Sequence, residues 1–341
     1  MTLAMSSQDS HAPPEAPPTG RLGRSTAGAG AGVAASLVWG TAYLVPVLLG
    51  GWSPVIVTLG RYLAYGLLSA VLFVLGGRAL RQLAREHWRI ALAFAVAGNA
   101  GYYLLLVVGI RAAGAPLTDM VIGVIPVAVT VAGNVLAPAF RWRRLAIPLT
   151  LVMLGLALVS VLEISGVHAY SHGPAGEKAA GLIAACAAVV LWTWYALANA
   201  RFLAGHHDVA AAPWSTIVGV ATGAVALAGL PVAAVTGQLT APAAAHPGTP
   251  KLIAGIIFLG VVVSWAGTWL WNRASSRLSP AVAGLLVNLE TVTGFGYVYA
   301  ARHQWPPAGQ LAGLILVITG VALSLRGAVP AVRNGRPRAW P

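Results

Sequence analysis

The sequence predicts an all-α integral membrane protein, with ten transmembrane helices arranged as two inverted five-helix repeats. Three observations carry this reading. Of 341 residues, 58% are hydrophobic and 9% are charged, too few polar side chains to cover a water-soluble domain, which carries about 25% charged residues. Apolar stretches of roughly twenty residues, the length a helix needs to cross about 30 Å of hydrocarbon, recur along the chain. An apolar motif that begins at Leu149 also returns at Leu314, with six of its ten positions identical.

The elements follow in order. Residues 1–28, rich in Pro, Ser and Ala, read as a disordered cytoplasmic tail, with no cleavable leader expected because the first apolar run has full spanning length. The first span is placed at Ala29–Leu49 and carries Trp39 and Pro46; the second, Pro54–Gly76, carries Arg61; the third, Ile90–Ile110, carries Asn99, Tyr102 and Tyr103. The fourth, Leu117–Ala137, contains Pro126, and the fifth, Leu145–Leu162, contains the first copy of the motif. A connection over 163–179 leads to the sixth span, Ala180–Leu203, with Cys186, Trp192 and Trp194, and then to the seventh, Pro213–Val235. The eighth, Lys251–Asn272, holds Ser264, Trp265 and Trp269; the ninth, Ala281–Ala301, holds Asn288 and Glu290; the tenth, Ala308–Leu325, holds the second copy. A basic cytoplasmic tail, 326–341, ends the chain.

Arginine sets the orientation, because cytoplasmic loops retain Lys and Arg. With both termini inside, the inner segments hold Arg21, Arg24, Arg78, Arg81, Arg85, Arg89, Arg141, Arg143, Arg144, Arg201, Arg273, Arg277 and the arginines of the C-terminal tail, while the outer segments hold only Arg111, Lys178, Lys251 and Arg302. The formal charge of +13 therefore reports topology. It does not form the single water-facing stripe that a nucleic-acid partner requires.

The offset that carries Leu149 onto Leu314 also carries Ala115 onto Pro280, and a similar one relates Pro54 to Pro213. Residues 29–162 and 180–325 thus read as two copies of one five-helix unit. Five is odd, so the second copy enters the membrane from the opposite side. Inverted repeats give a transporter two mirror-related conformations about a midplane site.

Taken together, Trp39-Gly40, Ser53-Pro54 with Arg61-Tyr62, Ala113 to Pro126, Leu278-Ser-Pro280 to Leu289-Glu290, and Gln310-Leu-Ala-Gly313 to Gly320 make the chain resemble the EamA-like branch of the drug/metabolite transporter superfamily. Thr291 stands where that family often has Pro, and Arg302-His303-Gln304 where it often has an acidic residue. The resemblance implies a bacterial inner-membrane carrier of amino acids, other metabolites or drugs, mostly outward, with a small-molecule substrate, a lipid bilayer around it and room for a homodimer.

The candidate site is read from what lies deep. No glycine-rich loop ending in Lys-Ser/Thr holds nucleotide phosphates, so transport is expected to be secondary. The eight histidines fall in tails, loops or span ends and the one cysteine lies in an apolar run, so no cofactor, metal site or catalytic set is expected. His206-His207-Asp208 reads as a solvated loop. Glu290 lies nine residues into the ninth span, about 13 Å from its inner edge, and Arg61 about 10 Å below the outer edge, which leaves them about 6 Å apart along the membrane normal. An ionisable group at that depth costs at least about 2.5 kcal/mol on insertion scales. Removal from water disfavours the charged form of a carboxyl, suiting Glu290 to proton coupling or to a substrate's cationic group. A structural carboxylate between helices, and an arginine that snorkels or anchors packing, are the alternatives. Trp39, Tyr102, Tyr103, Trp192, Trp194, Trp265 and Trp269 lie at mid-depth and could wall a pocket, with Asn99, Ser264 and Asn288 as polar contacts, or could be ordinary core. Trp52, Trp88, Trp142, Trp271 and Trp305 read as interface anchors. An intramembrane enzyme, or a membrane sensor or assembly protein that transports nothing, is the rival class.

Overall fold

The computed structural model describes residues 19–44, 48–49, 52–138, 140–166, 175–239 and 248–327. Every element among them is helical, with no strand. Residues 1–18 of the expected tail, Pro46, residues 167–174 of the expected connection, and the basic tail beyond Gly327 lie outside the described residues.

Helix α1 (Thr19–Gly40) takes in residues 19–28, expected in the tail, and runs into a 3-10 turn, Thr41–Tyr43. Helix α2 (Pro54–Leu75) starts where Ser53 Oγ accepts the Val55 amide at 3.3 Å and where a first-turn proline lacks only an N–H that would have no helical partner. Gly77, at φ 66° in the left-handed region glycine tolerates, opens the next helix. That helix, α3 (Gly77–Ala113), is 37 residues long and starts well before the expected Ile90. A π-helical turn, Val96–Ala100, interrupts it.

The fourth stretch is two helices, α4 (Ala115–Ile122) and α5 (Ile125–Leu136), with Pro126 in the first turn of α5. The single span expected over Leu117–Ala137 is therefore broken just ahead of Pro126. Helix α6 (Trp142–Gly166) contains Pro148. Helix α7 (Ala175–Gly205) and helix α8 (Ala211–Val235) follow, the latter containing Pro231. Helix α9 (Thr249–Ser275) has a second π-helical turn, Leu259–Ala266. Helix α10 (Pro280–Ala301) is capped by Ser279, and α11 (Ala308–Gly327) closes the described chain. Seven of these, α2, α3 and α6 to α10, carry stretches long and apolar enough to cross a membrane; residues 120–136 and 308–324 form shorter apolar helices. Leu67, Val74, Leu75, Ile183, Val190 and Val235 stand exposed on the outside, as an apolar solvent permits.

Six packings organise the bundle: α6 lies on α11, α2 on α8, α3 on α7, and α1 on both α9 and α10, with α5 against α10. Small residues let the backbones approach. A Cβ on Gly66 of α2 would lie 2.4 Å from the Cα of Gly223 on α8, so only glycine fits there. The core of α1, α5, α7, α9 and α10 gathers Ala35, Ile125, Val129, Leu197, Trp271 and Val287.

Candidate functional site

The two π-helical turns position the candidate residues. A π turn widens the helix by one residue per turn and re-aims its side chains, and such turns recur at functional sites. The first carries Asn99, whose Nδ2 donates to Thr222 Oγ1 of α8 at 3.0 Å. The second carries Val263, Ser264 and Trp265 together. Ser264 Oγ accepts from Arg61 Nε of α2 at 2.7 Å, the Val263 carbonyl accepts from Trp39 Nε1 of α1 at 3.1 Å, and Trp265 Nε1 donates to Thr216 Oγ1 of α8 at 3.3 Å. One turn of α9 thus gathers side chains from three other helices.

Arg61 lies on α2 and Glu290 on α10, helices that do not pack closely together among the described residues. Their charges are near enough to interact, while the guanidinium itself is held by Ser264 and lies 5.6 Å from the ring centroid of Tyr62. Glu290 is half-buried and its backbone carbonyl accepts from Thr293 Oγ1 at 3.1 Å.

An aromatic group lies beside them. Trp39 and Trp192 flank Trp271, with ring centroids 5.7 and 6.2 Å from it, and Trp192 meets Tyr195 edge-on at 6.0 Å. Tyr102 packs against the same core. Trp265 and Trp269 stack at 6.2 Å. Tyr103 is half-buried and its hydroxyl donates to the Pro54 carbonyl at 2.9 Å, tying α3 to the start of α2. Asn288 is wholly buried and donates to the Leu285 carbonyl of its own helix at 3.0 Å, leaving its Oδ1 without a partner.

Two expectations need correction. Trp194 is 49% exposed, on the same stripe of α7 as Ile183 and Val190; it faces outward and touches Phe94 edge-on at 5.9 Å, apart from the pocket candidates. Trp271, read as an interface anchor, is 2% exposed and central to the aromatic group. It lies near a span end in sequence, but this end of α9 packs against α1 and α7.

A second polar cluster escaped the sequence reading. Trp214 Nε1 donates to Asn199 Oδ1 at 2.9 Å, Asn199 Nδ2 to Asn272 Oδ1 at 2.8 Å, and Asn272 Nδ2 to Ser215 Oγ at 2.8 Å, while the Tyr65 hydroxyl donates to the Ser215 carbonyl at 2.9 Å. All five residues are buried. The chain closes the end of the bundle where α7 turns into α8 and joins α2, α7, α8 and α9. Next to it, His206 stacks on Phe202 with centroids 4.3 Å apart and meets His87 edge-on at 5.0 Å, while His207 and Asp208 stand exposed in the turn that follows α7.

The comparisons agree with this architecture. The model of the EamA-like transporter family matches residues 179–326. The Inner membrane protein YtfF of Escherichia coli (strain K12) is 34% identical over 299 residues, covering 86% of this chain and 92% of that protein. An uncharacterized transporter of Haemophilus influenzae is 38% identical over 48 residues, 14% of this chain and 27% of its own. A solved crystal structure matches 89% of this chain and 98% of its own with a TM-score of 0.70 at 19% identity, which shows a shared fold. Helices of spanning length and an inner-membrane relative covering nearly the whole chain make this a multi-pass membrane protein, and the chain belongs to the EamA-like transporter family.

Proposed function

We propose that the protein is a secondary active exporter of small organic solutes, amino acids, metabolites or drugs, working by alternating access across the bacterial inner membrane. In this reading ten crossings form two inverted five-helix repeats with both termini cytoplasmic. Glu290 exchanges a proton or holds a cationic group, Arg61 takes the opposite charge, and Trp39, Trp192, Trp265, Trp269, Tyr102 and Tyr103 wall the path.

The observation that supports it most is a symmetry in the packing. Matching each span of the first half to the fifth span after it pairs α1 with α7, α2 with α8, α3 with α9, α4 and α5 with α10, and α6 with α11. Contacts then exchange: α3 on α7 corresponds to α9 on α1, and both π turns fall in corresponding helices. The offset of the repeated motif carries Pro148 onto Gly313 and Gly155 onto Gly320. A Cβ on Gly155 would lie 2.5 Å from the Gly313 carbonyl oxygen, and one on Gly320 would lie 2.7 Å from that of Pro148. Two halves related in this way can exchange conformations, opening the path first to one side and then to the other.

Counterflow in proteoliposomes tests it, with radiolabelled amino acids and cationic drugs, in the presence and absence of a proton gradient. Exchange of label across the membrane is expected. Glu290→Gln is expected to retain counterflow and lose gradient-driven accumulation if the carboxyl carries the proton, and to lose both if it holds the solute's cation. Chemical turnover of a solute without flux would overturn the reading in favour of an enzyme.

A further inference from the structure

The helix that exceeded its expected length carries a feature that transport leaves unused. On α3, Arg78, Arg81, Arg85 and Arg89 recur at three- and four-residue steps and all are exposed, so they share one face. That face continues as Leu92 and Val96, 38% and 42% exposed, at the next steps of the same series. The side of α3 that meets lipid tails therefore turns to arginine at Arg89. Trp88, 54% exposed, adjoins it with the Arg89 guanidinium 5.5 Å from its ring centroid, a pairing typical of the membrane boundary.

The opposite face is already occupied. Leu80, Leu83, Ala84, Ala91 and Phe94 pack with Phe202, Leu203 and Val209, so the helix cannot roll to bury its arginines. Nor does it stand free of the bundle: His87 lies 6.4 Å from Trp214 at the start of α8, and Phe73 at the end of α2 reaches the same cluster. Glu86, the one acidic residue on this helix, accepts from Gln82 at 2.9 Å off the arginine stripe. Helix stability does not explain the arginines, since positive charge opposes the dipole at a helix N-terminus and the first turn has no acid to offset it.

We propose that this face, Arg78, Arg81, Arg85 and Arg89 with Trp88, is a binding surface for the anionic headgroups of phospholipids. Basic side chains at the edge of a span attract anionic lipid, and guanidinium holds phosphate through paired hydrogen bonds. The assignment to the cytoplasmic leaflet rests on the orientation proposed above; the preference for anionic headgroups does not.

Native mass spectrometry of the detergent-purified protein, equilibrated with equal phosphatidylglycerol and phosphatidylethanolamine, reads the preference. The wild type is expected to retain phosphatidylglycerol selectively. Arg85→Gln/Arg89→Gln is expected to bind it at least about tenfold more weakly, Arg85→Lys/Arg89→Lys to keep most of it, and Arg302→Gln to change nothing. Equal retention of the two lipids by the wild type, or undiminished retention by Arg85→Gln/Arg89→Gln, overturns the proposal, as does displacement of the lipid by millimolar glycerol phosphate, which would mark a site for free anions. Labelling of Arg78→Cys in a Cys186→Ser background, by an impermeant maleimide applied to sealed vesicles of known sidedness, tests the orientation separately. Modification from the periplasmic side would overturn the leaflet assignment while the headgroup preference in detergent stood or fell by itself.

Discussion

Trp271 shows that a tryptophan near the end of a span in sequence can belong to the core. Its indole is sealed between Trp39 and Trp192 and its Nε1 has no partner. Removing the ring leaves a cavity that close-packed neighbours only partly fill, so Trp271→Ala should cost about 3–5 kcal/mol, seen as a large drop in thermal stability in detergent. Trp271→Phe keeps an aromatic contact and deletes an unsatisfied donor, and should cost much less. Trp194→Ala, on the outward stripe of α7, should fall within about 0.5 kcal/mol of wild type. If Trp271→Phe proves as damaging as the alanine variant, the indole N–H has a partner that matters, and a bound solute becomes the candidate. Arg61 makes a complementary point. A charge in the bilayer is costly enough to be noticed in sequence, but the serine that holds it is recognised only once α9 is seen to turn it toward α2.

Among the elements, the close approach of α2 and α8 is the tightest constraint on sequence. A Cβ on Gly66 meets backbone on Gly223, which has no flexible side chain to move aside. Gly66→Ala should separate the helices and cost about 1–3 kcal/mol in thermal unfolding, whereas Gly30→Ala on α1, with nothing within 4 Å, should gain up to about 1 kcal/mol from helix propensity. The apolar stretches were legible because a bilayer demands continuous hydrophobicity. The break ahead of Pro126 was not legible, because the apolar run continues through it and a proline in a first turn is compatible with an unbroken helix start. The start of α3 was hidden because Arg78 to Arg89 end the apolar run, although Ala, Leu, Arg, Gln and Glu through that segment are all strong helix formers. The π turns left no mark in hydropathy. Only Gly98 within one and Gly101 just after it, and Gly260 within the other and Gly267 just after it, hint at them. Thr216 and Thr222 were equally silent: each also bonds the carbonyl four residues back, as threonines in membrane helices commonly do, so nothing separates a site threonine from a self-satisfied one.

For the molecule as a whole, alternating access requires that closure at one end be worth only a few kcal/mol, so that both states are populated. In the mechanism proposed above, the chain Trp214–Asn199–Asn272–Ser215–Tyr65 is the candidate for closure of that size at the end proposed to face the cytoplasm. It joins four helices, and each interhelical hydrogen bond in a membrane bundle contributes about 0.6 kcal/mol, at most about 1.7. Asn272 is its hinge point, accepting from Asn199 and donating to Ser215. Asn272→Ala removes both bonds at once, a loss of roughly 1.2 kcal/mol, which should raise the population open at that end about five- to tenfold. A cysteine at Ser275 makes the change visible: Ser275 is 3% exposed and its hydroxyl has no partner, so Ser275→Cys alters little. In a Cys186→Ser background, an impermeant maleimide applied from the cytoplasmic side should modify that cysteine several times faster when Asn272 is alanine. Added solute should slow it again if the solute favours the closed state. Equal labelling rates with and without Asn272, alongside reduced thermal stability, would identify the network as static packing and move the gate elsewhere in the bundle.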